Sequence, residues 1–151
     1  MGTVSALLAR LKEQRVYIDA NYLIYFLDRT EPYFEVVAPI FQACDQGDFM
    51  GFTGDAAMCE VMVHPYRKKS PSEIARGKSL FTREGFLTVL RHDADSFDLT
   101  AQIRAGSNMR MIDALHYATA LQAGCRYLLT NDHNFKSGTT LEVIPIRSLI
   151  G

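Results

Sequence analysis

Four carboxylates stand where a folded chain could put them to chemical use. Asp19 closes the apolar run Val16-Tyr17-Ile18 in VYIDANYLIYFLD, and Asp132 follows the apolar run in CRYLLTND. Asp113 opens the segment DALHYATAL, and Glu60 interrupts an otherwise apolar helical stretch, DAAMCEVMV. An ionised side chain on a buried face is costly unless something compensates its desolvation. Carboxylates held close together repel one another, and a divalent cation is their natural counter-ion. No histidine or cysteine has zinc-ligand spacing, so an all-carboxylate set suits a hard ion such as Mg²⁺ or Mn²⁺. Such an ion lowers the pKa of a bound water and clamps phosphate oxygens, which is what phosphodiester hydrolysis requires.

Each acid also has a plainer reading. Asp19 could cap the helix that begins at Asn21. Asp113 could be a first-turn acid favoured by the helix dipole, and Asp132 a turn residue. Glu60 could face solvent or pair with a base such as Arg67. It is the combination, on four separate elements, that points to one site.

The elements that must carry these acids follow from periodicity. Leu7, Leu8 and Leu11 predict a short amphipathic helix, and Val16–Ile18 a first strand. Asn21–Leu27 and Pro32–Gln46 have helical spacing, with Gly47 as a stop. Phe49–Thr53 reads as a second strand, and a helix that Asp55 could cap then runs to His64, where Pro65 is expected to end it. Pro71–Arg83 is expected to be helical with Ser72 as a cap, and Gly85–Leu90 to be a third strand. Helices over Phe97–Ala105 and Ile112–Ala123, the second closed by Gly124, precede strands over Cys125–Thr130 and Leu141–Ile146. Short apolar strands alternating with longer helices imply a mostly parallel five-stranded sheet covered by helices on both faces. Ligands collect at the carboxyl ends of such strands, near the point where strand order reverses.

The chain has 151 residues, 48% of them hydrophobic and 22% charged, which is the length and composition of one globular domain. A net charge of −1 gives no global basic field, so any nucleic-acid binding must come from a local patch. Cys44, Cys59 and Cys125 are odd in number and far apart, as expected of reduced, mostly buried thiols in an intracellular protein. The first fifteen residues lack a signal-peptide pattern and no apolar run is long enough to span a membrane, so a cytoplasmic location is expected.

At the four acids the sequence resembles the PIN-domain nucleases, and within them the VapC-type toxins of toxin–antitoxin pairs. The family's opening strand, ending in Asp, a small residue and Asn or Ser, is matched by YIDAN, and its helical Glu by FTGDAAMCEVMVHPYR. Its third acid is matched by DALHYATA and its fourth by TNDHNF. The resemblance runs from about Val16 to Ile146, with residues 1–15 as a helical lead-in to a single domain over 1–151. It implies a three-layer α/β/α PIN-like fold in which Asp19, Glu60, Asp113 and Asp132 hold one or two Mg²⁺ or Mn²⁺ ions. Asn21 and Thr130 would support them. Asn134, also a supporting residue, stands where many relatives carry a further Asp, which removes one charge from the site. Met111-Ile112 replaces a Pro common in relatives.

The implied activity is metal-dependent endoribonuclease action that leaves 5′-phosphate and 3′-hydroxyl ends. The implied partners are RNA, an antitoxin protein and a second copy of the chain as a homodimer. A non-toxin PIN nuclease of RNA processing, or a catalytically silent PIN-like module that binds RNA or protein, would share these features. A phosphoryl-transfer fold with Asp19 as nucleophile would call for D-x-D-x-[TV], which Asp19-Ala20-Asn21-Tyr22 does not provide. For RNA contact, Tyr66 could stack on an unpaired base, and Arg67, Lys68, Lys69, Arg104 and Arg110 could meet phosphates. His64, His116 and His133 are expected to be surface or core residues, and Met58, Met62, Met109 and Met111 ordinary packing.

Overall fold

Val16, Tyr17 and Ile18 are β-branched or aromatic and suit a pleated, buried surface. In the computed structural model, which describes residues 2–132, 135–136 and 138–150, they lie in strand β1 (Arg15–Ile18). Helix α1 (Gly2–Leu11) precedes β1, and α2 (Ala20–Asp28) and α3 (Tyr33–Asp45) follow it. Strand β2 (Met50–Gly54) leads to α4 (Asp55–Lys68) and α5 (Pro71–Thr82), and β3 (Leu87–Leu90) to α6 (Ala94–Ala105) and α7 (Met111–Gln122). Strands β4 (Tyr127–Thr130) and β5 (Glu142–Pro145) complete a sheet ordered β3-β2-β1-β4-β5. Every adjacent pair is parallel.

Because side chains alternate across a strand, β1 feeds two cores. Val16 and Ile18 join Leu129 beneath Leu7 and Leu11 of α1, Leu23 of α2, Val37 and Ile40 of α3, and Val61 of α4. Tyr17 points the other way and joins Phe52, Leu128 and Ala120 of α7. The sheet is thus covered on both faces, and its central strands are buried over most of their length. Strand order reverses between β1 and β4, so the switch point lies where Ile18 and Thr130 end their strands.

Several boundaries differ from the periodicity, each for a local reason. Helix α4 runs through Pro65 to Lys68 instead of ending before it. Pro65 forfeits one backbone bond, but its ring is buried, and the stop falls to Lys69, which takes a left-handed backbone (φ 52°) and donates its N–H to the Tyr66 carbonyl. Asp55 is the first residue of α4, not its cap: Gly54 holds the cap position, and the Asp55 carboxylate instead accepts the His92 backbone N–H. Ser70, not Ser72, caps α5. Its Oγ accepts the Glu73 N–H at 3.3 Å, because Pro71 already occupies the first helical position. Helix α6 starts three residues earlier than its apolar pattern, at an Asp93 cap that accepts the Ser96 N–H. Gly47 and Gly124, with φ of 80° and 69°, stand just beyond α3 and α7 as expected.

Met62 is buried and Met109 packs against the second core, but Met58 and Met111 are exposed, because the inner faces of their helices are filled by other side chains. Cys44 and Cys125 are buried free thiols, and Cys59 is exposed. Among the described residues, no helix is long and apolar enough to cross a membrane.

Candidate active site

Asp19 leaves β1 at the switch point and starts α2. Its Oδ1 accepts the Ala20 N–H at 2.7 Å, so it does cap the helix. Its Oδ2 meanwhile accepts the Thr130 hydroxyl at 2.7 Å from the end of β4. The same Thr130 oxygen accepts the Asp132 N–H at 3.0 Å. One hydroxyl therefore joins two of the four acids. Asn21 steadies the adjoining turn by accepting the Asn131 N–H on Oδ1 at 3.1 Å, while its amide lies 3.5 Å from Asp19 Oδ2.

Asp113 occupies the first turn of α7, where Arg110 grips it twice, Nε to Oδ2 at 2.8 Å and Nη2 to Oδ1 at 3.3 Å. Arg110 Nη2 also reaches Asp132 Oδ2 at 3.3 Å. Arg110, expected from the sequence to meet RNA, is thus bonded to both acids, although its side chain remains 69% exposed. This planar, permanently charged fork suits two carboxylates better than an ammonium would.

The fourth acid arrives from α4. Glu60 Oε1 lies 2.7 Å from His116 Nε2 on α7, and its side chain is 35% exposed, so it is not wholly in solvent. His116 is 1% exposed, one helical turn after Asp113 and on the same face of α7. Its Nδ1 meets the Tyr17 hydroxyl at 2.6 Å, and its Nε2 comes within 3.9 Å of Asp19 Oδ1. Asp19, Glu60 and His116 offer ligand atoms that all lie within 4.8 Å of one another. Glu60–His116–Asp19–Thr130–Asp132–Arg110–Asp113 is one continuous chain of polar contacts.

The electrostatics follow from burial. Desolvation raises the pKa of Asp19 above the ordinary carboxylate range, despite the opposing effects of His116 and the Thr130 bond. Desolvation likewise pushes Asp113 up to about 6, with neighbouring Asp132 adding to the rise and Arg110 opposing it. Burial works against a charged His116, but the Glu60 bond and the charges of Asp19 and Glu60 outweigh it and raise its pKa. The negative charge of acids held in this way is only partly compensated by the protein. Of the four acids, Asp19 and Glu60 stand with His116 within ligand distance of one another, whereas the carboxylates of Asp113 and Asp132 are bonded to Arg110. The carboxylate oxygens suit a hard divalent cation.

Two contributors escaped the sequence reading. His116, expected to be a packing or surface residue, faces the acids; the signal was its i+3 spacing from Asp113 in DALHYATA. Tyr17 gave no signal beyond its place on the opposite face of β1 from Val16 and Ile18. His64 is exposed on α4, whereas His133 and Asn134 lie outside the described residues. Tyr66, Arg67, Lys68 and Lys69 form the exposed end of α4, where Lys68 pairs with Glu73 at 3.0 Å and Lys78 lies 5.9 Å from the Tyr66 ring centre. Arg104 is occupied with the Met109 carbonyl.

A doubly wound parallel α/β sheet with its acids gathered at the switch point defines the class. The chain belongs to the PIN-domain family, whose model matches residues 16–139. No curated protein sequence matches it. Its fold is similar to that of VapC20 of Mycobacterium tuberculosis, a toxin that cleaves the sarcin–ricin loop. The TM-score is 0.69 at 12% identity, covering 86% of this chain and 99% of that one. It is also similar to a chain of VapBC2 from Rickettsia felis bound to a promoter DNA fragment (TM-score 0.68, 14% identity, 87% and 98% covered). A toxin–antitoxin complex from Klebsiella pneumoniae contains a further similar chain (TM-score 0.64, 18% identity, 87% and 97% covered).

Proposed function

We propose that this PIN-domain protein is a metal-dependent endoribonuclease of the cytoplasm and the toxin of a VapBC-type pair. The observation that carries the reading is the linkage of four acids, two after strands, one in the first turn of α7 and one within α4, into one polar network in a PIN-domain chain. Asp19, Glu60, Asp113 and Asp132 would hold Mg²⁺ or Mn²⁺. When bound, such an ion would supply charge neutralisation at the phosphate and a lower pKa for water at the site. The chain's own part is orientation. Ala20 and Thr130 fix both oxygens of Asp19, the Thr130 oxygen also anchors the backbone at Asp132, and Arg110 holds Asp113 and Asp132 as a pair. Hydrolysis forms a bond from the water oxygen to phosphorus as the P–O3′ bond breaks. The ends produced are a 5′-phosphate and a 3′-hydroxyl.

The purified chain should cut single-stranded RNA in Mg²⁺ or Mn²⁺ and lose all cleavage in excess EDTA. Full cleavage in EDTA would sink the reading, and cation-independent binding without cleavage would identify a silent module instead. The toxin assignment is supported by the likeness of fold to VapC20 and to chains of toxin–antitoxin complexes. It further implies an inhibitory antitoxin and a homodimer, which co-expression with the neighbouring gene and light scattering would test.

RNA would approach over the basic end of α4. Lys68→Glu with Lys69→Glu should weaken RNA binding and flatten its salt dependence by about two phosphate contacts, since the slope scales at about 0.7 per contact on single strands. Unchanged binding at several salt concentrations would return Tyr66, Arg67, Lys68 and Lys69 to the role of a solvated helix end.

A further inference from the structure

We infer that Tyr17 and His116 form a buried positioning relay that fixes the Glu60 carboxylate beside Asp19, and that His116 is not itself a ligand of the cation. The inference rests on the reading of the four acids as cation ligands. An ionised carboxylate can only accept hydrogen bonds, so His116 Nε2, 2.7 Å from Glu60 Oε1, must carry a hydrogen. That holds for both the neutral and the charged ring. While this bond is intact Nε2 has no lone pair to offer a metal, although it lies within ligand range of Asp19 and Glu60. The other ring nitrogen is taken as well. Nδ1 lies 2.6 Å from the hydroxyl of Tyr17, a side chain with no exposed surface.

The His116 ring also has an aromatic neighbour. It is fixed by Tyr17 from β1 and by the edge of His92, whose ring centre is 5.5 Å away at 74°. His92 is in turn anchored through Nδ1 to Thr119 Oγ1 at 2.7 Å. A partly exposed glutamate on a helix has several rotamers. One rigid donor reduces them to the arrangement that faces Asp19, as hydrogen-bond partners do for ligating carboxylates in other metal sites.

The test is Mn²⁺ affinity of the metal-free, full-length protein, measured as free Mn²⁺ by electron paramagnetic resonance, with melting temperature recorded for each variant. His116→Ala should bind Mn²⁺ about 10–100-fold more weakly, the usual cost of losing an outer partner. His116→Gln, whose terminal amide can still donate to Glu60, should recover part of the loss. Tyr17→Phe keeps the packing and removes only the hydroxyl, and it should show a smaller, several-fold loss with an almost unchanged melt. Wild-type affinity in a folded His116→Ala or in Tyr17→Phe overturns the relay and leaves the reading of the acids standing. An imidazole-nitrogen coupling to Mn²⁺ in pulsed resonance spectra of the wild type overturns it too, because His116 would then be a ligand. Wild-type affinity in Asp19→Asn, or no Mn²⁺ binding by the wild type, overturns the underlying reading and the relay together.

Discussion

Asp19→Asn should cleave RNA about a thousandfold more slowly than the wild type while melting at a higher temperature in EDTA. The rate follows from charge. A cation at this site contributes several kcal/mol of transition-state stabilisation, and each 1.36 kcal/mol is about a tenfold change in rate. The substituted amide would still cap α2 through its single oxygen, because asparagine and aspartate serve about equally at that position. Its NH2 would then donate to the Thr130 oxygen in place of accepting the Thr130 hydroxyl. Little of the fold is therefore disturbed. The stability gain follows from the raised pKa of Asp19, whose main cause is burial. A carboxyl whose folded-state pKa lies above its unfolded value binds its proton more tightly when folded. Its favourable contribution is complete below the unfolded pKa and is lost as pH rises through the folded one. At neutral pH the ionised group is a burden on the metal-free protein, and the neutral amide relieves it. The gap in melting temperature should close as pH falls below the usual aspartate value of about 3.9. Asp113→Asn should behave alike in cleavage, since it too removes one of the four acids read as cation ligands. Normal cleavage by either variant would remove these acids from the reaction.

Addition of saturating Mn²⁺ should reverse the order of stability. An ion that binds only the folded state at a hundred times its Kd stabilises by about 2.7 kcal/mol. The wild type should gain this and Asp19→Asn should not.

The parts of this site that were legible in the sequence are those set by local chemistry. Asp19 ends a strand of β-branched and aromatic residues, and Asp113 opens a helix that Gly124 closes; both positions follow from period, cap and stop signals. Thr130 and Asp132 end β4 for similar reasons. What could not be read is which side chain meets which. Glu60 and His116 are 56 residues apart and touch although α4 and α7 pack in the cores on opposite faces of the sheet. Arg110 looks like a surface base, yet the two acids that claim it are 3 and 22 residues away. Pro65 shows the same limit in the fold, because burial of its ring overrides a propensity that is correct for an isolated helix. Pairwise tertiary contacts, more than elements, were the missing information, and they are what turns four acids into an ordered network.

Gly54→Ala should lower both the melting temperature and the Mn²⁺ affinity, whereas Gly51→Ala, three residues earlier on the same strand, should lower the melting temperature alone. A Cβ on Gly54 would stand 2.3 Å from Cε1 and Nε2 of His92 and 2.5 Å from the Tyr17 hydroxyl oxygen. These are closer than van der Waals contact permits, and none of the three atoms belongs to a side chain free to swing away: Tyr17 is fully buried and His92 is anchored on Thr119. Tyr17 must shift, and with it the hydroxyl that fixes His116 and, through it, Glu60. A Cβ on Gly51 would instead meet Cys44 Sγ at 2.6 Å and Leu87 Cδ2 at 2.9 Å, in the other core and away from the acids. Overpacking of this kind costs roughly 1–3 kcal/mol. At about 2–4 °C per kcal/mol for a domain near this size, each variant should melt roughly 2–12 °C lower in circular dichroism. The two glycines then serve as controls for one another, because similar losses of stability should come with different losses of cation affinity. A folded Gly54→Ala that binds Mn²⁺ as the wild type does would show that the acids hold their places without Tyr17. An equal loss of affinity in Gly51→Ala would trace both effects to the sheet as a whole instead of to the hydroxyl that Gly54 admits.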